Sequence, residues 1–180
     1  MRRILALDLA RTTGYAYWQP SSAKPIWGEK KFSSDLQDSL FELDQFVGSF
    51  IYKFKIDTIA LEEPFVGKYL NNIDRLYTMR GIILKEIAKH NICRIDATPS
   101  EWRCHFLNFT NAPRDVHGNE DRRAWLKNRA KEKCLERGWK VKTDNEAEAL
   151  GLLCFARSKI DPDYAIGLTP LGAKMNEVTA

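Results

Sequence analysis

The chain has 180 residues, enough for one domain with a full core, and its 44% hydrophobic and 11% aromatic content excludes a disordered polymer. Its four cysteines, Cys93, Cys104, Cys134 and Cys154, form no CxxC pair and have no histidine at ligand spacing, which excludes a disulfide frame and a zinc site. The net charge is only +4, no run approaches the roughly 18 apolar residues of a membrane span, and Asp8 ends the apolar run behind Arg2 and Arg3 too early for a signal peptide. A cytoplasmic protein with reduced thiols is the expectation.

Ile4 to Leu9 is apolar on both faces apart from Asp8, the pattern of a central strand. Arg11-Thr-Thr-Gly14 is turn chemistry, Tyr15 to Trp18 continues as a second strand, and Ile26 to Phe32 reads as a third, giving an antiparallel meander. Ser33 or Ser34 is placed to cap a helix whose apolar positions, Leu36, Leu40, Leu43, Val47, Phe50 and Ile51, recur at spacings of three and four. Ile56 to Leu61 is another buried strand, stopped at Glu62-Glu63 by Pro64. Residues 66–72 read as an exposed loop. The helix that follows, from about Asn71 to Lys89, is apolar around much of its circumference, as a buried helix or a subunit contact requires.

Ile92 to Ile95 reads as a strand, and Thr98-Pro99 opens a short helix through Trp102 to Leu107. After a loop over 108–118, a basic helix runs from Asn119 to Arg137 and closes at Gly138. Between Arg103 and Lys142 eleven Lys/Arg face five Asp/Glu, a surplus larger than that of the whole chain. A charge run of this kind is either a solvated helix face or a phosphate-binding surface. A last helix begins near Asp144, and a tail from Asp161, with Pro162, Gly167, Pro170 and Gly172, is expected to be loosely ordered. Meander first and helical crossovers afterwards make this an α/β chain with a mixed sheet.

Asp8 near the end of one buried strand, Glu62 at the end of another and Glu148 one turn into the last helix are expensive to bury without a partner. A metal ion is the natural one. Hard cations such as Mg²⁺ take carboxylate oxygens, and two of them roughly 4 Å apart can activate water against a phosphodiester. Thr143-x-x-Glu146 matches a capping box, which assigns Glu146 to the helix start. Asp144 is then the i−4 neighbour of Glu148 and serves either the site or only the helix dipole. Glu63 is expected to point away from the face that Glu62 uses.

Three segments in order, ILALDLARTTGYA, IALEEPF followed by a helix with MRG, and TDNEAEALGLL, resemble the RuvC-type Holliday-junction resolvases of the ribonuclease-H-like superfamily, particularly their phage-like variants. The resemblance spans roughly residues 1–156, and residues 1–160 are read as one nuclease domain, leaving 161–180 as a tail. It implies a ribonuclease-H-like five-stranded mixed sheet flanked by helices. It also implies an endonuclease that nicks four-way DNA junctions, with Asp8, Glu62, Asp144 and Glu148 holding two Mg²⁺, or Mn²⁺ in their place. The family's last motif carries an acid or His three residues before its final acid. Here Asn145 stands there, which makes it the alternative ligand to Asp144. A homodimer is implied as well. Arg122, Arg123, Lys127, Arg129, Lys131 and Lys133 are candidates for phosphate contacts, and Phe65 and Lys68 for contacts at the junction. An actin-like ATPase, whose phosphate loop the turn at Asp8 to Gly14 also resembles, needs two such domains and more than 180 residues.

Overall fold

Alternation along the first strand decides the architecture. In β1 (Ile4–Asp8), Ile4 and Ala6 belong to one core cluster and Leu5 and Leu7 to another, so both faces of the strand are covered. The computed structural model describes residues 2–63 and 73–167. β1 lies at the centre of a five-stranded sheet. β2 (Thr12–Trp18) and β3 (Ile26–Lys31) complete the antiparallel meander on one side, and β4 (Thr58–Glu62) and β5 (Cys93–Ala97) pair in parallel on the other. The order β3-β2-β1-β4-β5 is the mixed sheet expected.

One face carries α1 (Leu36–Phe54) and α2 (Ile73–His90) over Leu5, Leu7, Tyr17, Ile59 and Leu61. The other carries α3 (Pro99–Leu107), α4 (Asn119–Glu136) and α5 (Asp144–Ile160) over Ile4, Ala6, Ala16, Trp18, Ala60 and Ala97. α5 is apolar nearly all round, with ten buried residues in seventeen, because it is sandwiched between the sheet and the helices outside it. On α2, Met79 and Ile83 are buried and Ile82 and Ile87 pack behind them, while Tyr77 is exposed. No helix among the described residues is long and apolar enough to cross a membrane.

Three local expectations change. The N-cap of α1 is Asp35, whose carboxylate accepts from Asp38 N–H at 3.0 Å, and not Ser33 or Ser34; Ser33 instead accepts from Asp35 N–H at 3.2 Å. β4 starts at Thr58, because Asp57 turns its carboxylate onto Arg3 N–H at 3.0 and 3.1 Å. The segment after Asp161 begins as a short helix, α6 (Pro162–Gly167), with Asp161 capping Tyr164 N–H at 3.1 Å. By contrast α4 ends as expected, with Gly138 at φ 73° and Trp139 N–H bonded to Cys134 C=O at 2.9 Å.

Candidate active site

The period of two that buries Ile4 and Ala6 on the α5 side also turns Asp8 to that side. In β4 the same argument applies to Ala60 and Glu62. β1 and β4 run parallel with Leu7 opposite Leu61, so Asp8 and Glu62 end adjacent central strands side by side. Glu63 lies beyond the strand, where alternation no longer holds. It is exposed, donates its N–H to Ala97 C=O at 2.8 Å, and borders the same cleft as Glu62 rather than facing away.

Glu148 reaches this pair because α5 is allowed to come close. Ala6, Ala16 and Ala60 beneath it are small, and Gly14, opposite Asp8 in the ladder, touches its first turn. A Cβ on Gly14 would lie 2.0 Å from Asn145 C=O. The helix start is fixed by the expected capping box: Thr143 accepts from Glu146 N–H at 3.3 Å, and Glu146 accepts from Thr143 N–H at 3.4 Å and Lys142 N–H at 2.5 Å. Glu146 is thereby buried and spent on the cap.

Asp8, Glu62 and Glu148 border one cleft of 960 Å³. Burial raises the Asp8 carboxyl well above the usual carboxylate range. The nearby charges of Glu148 and Glu62 raise it further, Lys127 opposes them, and a hydrogen bond to Glu148 adds a smaller push in favour of the protonated form. Burial also raises Glu148, against Arg103 and Lys127. Glu62 is raised by burial, with the indole of Trp102 and the charge of Arg103 opposing. Among the described residues, no three His, Cys, Asp or Glu side chains stand close enough to form a metal shell as they lie. The donor set is nevertheless all carboxylate oxygen, and its mutual repulsion is what a hard divalent cation relieves, so these residues fit Mg²⁺ or Mn²⁺.

Asp144 is held by a short ion pair with Lys127, which keeps its carboxyl below the usual range, and it does not border the cleft. Asn145 does border it, with its amide donating to Glu29 at 3.1 Å. Of the basic candidates, Arg122, Arg123 and Lys127 line the cleft, and Arg122 also donates to Ala112 C=O at 3.2 Å. Arg129 and Lys133 are tied to Glu132 and Glu136 on their own helix at 2.8–3.2 Å. Lys131 lies near enough to Asp144 to help lower its pKa. Phe65 and Lys68 lie outside the described residues.

Two residues the motifs did not single out touch the acids of the site. Trp102 is buried and its Nε1–H donates to Glu62 Oε2. Arg103, beside it on α3, borders the cleft, approaches Glu148 Oε1 at 4.0 Å and stacks over Trp102 at 5.2 Å. Among the described residues no acceptor meets the buried Arg103 Nε. The available signal is a Trp-Arg pair in the helix immediately after a strand end on the acid-bearing edge of the sheet.

The arrangement of sheet and helices recurs in solved structures. RuvC of Thermus thermophilus superposes with a TM-score of 0.60 at 13% identity, over 83% of this chain and 90% of that one. The fold is that of RuvC. T. thermophilus RuvC in complex with a Holliday junction substrate gives a TM-score of 0.61 at 11% identity, over 84% and 90%. The yeast mitochondrial Holliday junction resolvase Ydc2 gives 0.50 at 16%, over 84% of this chain and 75% of its own. No family model and no curated protein sequence matches the chain. In this RuvC fold the three acids stand at the ends of the two central strands and one turn into the helix packed over them.

Proposed function

We propose that this protein is a magnesium-dependent endonuclease that resolves four-way DNA junctions by paired phosphodiester nicks. The observation that carries the reading is the convergence of Asp8, Glu62 and Glu148 on a cleft whose other wall is basic. Acids alone would repel DNA, and a basic wall alone would only bind it. Together they suit phosphodiester hydrolysis.

Asp8, Glu62 and Glu148 would hold the cations, with Asn145 as the neutral oxygen ligand that borders the cleft. When bound, Mg²⁺ supplies an activated water and stabilises the leaving oxygen. The chain's own residues do the rest. Arg103, whose guanidinium borders the cleft and approaches Glu148 Oε1 at 4.0 Å, holds the phosphate beside the acids. Arg122 and Arg123 take flanking phosphates and set the register of the strand. Asp144 acts through Lys127, holding that ammonium beside the acids. Phe65 would stack on an unpaired base at the branch point and Lys68 would contact the backbone there. Two such sites, one per strand, require a homodimer, for which α2 is the proposed contact.

The test is a labelled four-way junction incubated with Mg²⁺, EDTA or Ca²⁺ side by side, with flap, duplex and hybrid substrates in parallel. Paired nicks across the junction with Mg²⁺ alone are expected. Cutting confined to hybrid or linear substrates would refute the resolvase reading.

A further inference from the structure

We infer that Trp102 is a positioning residue for Glu62, holding that carboxylate so that one oxygen alone is free for a cation. The inference rests on the nuclease reading. Trp102 is 1% exposed, so its indole N–H must find an acceptor inside the protein. The acceptor is Glu62 Oε2. The ring has no room to turn away. Gly151 of α5 packs so tightly beneath it that a Cβ there would lie 2.8 Å from ring atoms, and the Arg103 guanidinium covers it at 5.2 Å. The backbone of Glu62 is fixed as well, because Arg80 donates to its C=O at 3.1 Å. Arg80 is itself anchored by Asp96 at 2.5 Å.

With both ends held, Oε2 is committed and Oε1 is left to face a cation. The distinction matters for cation choice. Mg²⁺ and Mn²⁺ are served by single carboxylate oxygens in octahedral geometry, whereas Ca²⁺ takes more oxygens and accepts bidentate carboxylates. A Glu62 freed from Trp102 can present both oxygens. The indole therefore acts against Ca²⁺ as well as in favour of a fixed ligand geometry.

The test follows Mn²⁺ binding to the full chain by electron paramagnetic resonance, with Ca²⁺ as competitor and junction binding and cutting alongside. Trp102→Phe removes the N–H and keeps a ring. Replacing Trp102 by benzothienylalanine removes it with the indole shape intact, and stands in if the Phe variant does not fold. In either variant Mn²⁺ binding should weaken by about tenfold or more, the usual cost of losing a hydrogen bond to a ligand. Ca²⁺ should displace Mn²⁺ at lower concentration than in the wild type, and cutting should fall while junction affinity holds. Unchanged Mn²⁺ affinity and Ca²⁺ competition in the benzothienyl protein would overturn the inference and leave the nuclease reading intact. A wild type that neither binds Mn²⁺ nor cuts would overturn that reading and the inference with it.

Discussion

Replacing Asp8 by Asn should make the cation-free protein more stable. Two unit charges 4 Å apart repel by roughly 4 kcal/mol at an effective dielectric near 20. Asp8 meets two such neighbours, Glu148 and Glu62, besides its own burial, while Lys127 offsets part of the sum. The proton kept on Asp8 avoids the repulsion, but above the usual carboxylate pKa holding it costs about 1.4 kcal/mol for every tenfold fall in proton concentration. A net gain of about 1–3 kcal/mol for Asp8→Asn at pH 8 follows on that scale. For a chain of this size it appears as a rise of about 2–12 °C in melting temperature.

The sign with pH is fixed. The folded Asp8 holds its proton to higher pH than the unfolded one, so between the two values stability falls as pH rises. The advantage of the Asn variant should therefore be small near pH 4, where the carboxyl carries its proton in the folded state and much of the time in the unfolded one, and full at pH 8. Adding Mg²⁺ should reverse the ranking, because the cation stabilises the wild type through its carboxylates and the variant less. Thermal melts in EDTA and in Mg²⁺, at pH 4 and pH 8, check all of this. A variant that melts at or below the wild type in EDTA at pH 8 would refute the reasoning.

Three more outcomes are expected. Neutralising Arg122, Arg123 and Lys127 together should flatten the dependence of log junction affinity on log salt by about three units, whereas Arg129→Gln with Lys133→Gln should change it little; filter binding over a salt series decides. Gly14→Ala puts a Cβ 2.0 Å from Asn145 C=O, so it should cost about 1–3 kcal/mol or more and reduce cutting by moving the start of α5; wild-type melting would show that the contact is slack. Light scattering at micromolar protein should give a dimer, and a species of 20.8 kDa with and without DNA would count against the α2 contact.

Much of this fold is written locally. Strand alternation in ILALD and TIALE, the Thr143 capping box and Gly138 each depend on residues within a few positions, and apart from the later start of β4 each appears where the local pattern puts it. Those same alternations carry Asp8 and Glu62 to one face. What is not legible depends on distant partners. Helical spacing alone pairs Asp144 with Glu148, but Lys127 from α4 claims Asp144, and no local pattern announces that. Trp102 reads as an ordinary core aromatic until its indole is seen to donate to Glu62 at the end of β4. Pro162 reads as a breaker, although as the first residue of α6, behind the Asp161 cap, it is well suited to start a helix.

The burial of α5 has a consequence for when the protein can act. Asp8 leaves the ribosome well before Glu148, which stands on α5 with β2 to β5 and four helices between them. Contacts of such long sequence separation form late, since loop closure must precede them. α5 fills the space between sheet and outer helices, so it docks only as the whole layer condenses. A nascent or half-folded chain thus holds its acids apart, and the cutting proposed for this site would belong only to the finished molecule. Hydrogen exchange should show the amides around Glu148 opening with the global unfolding free energy, not by local fraying.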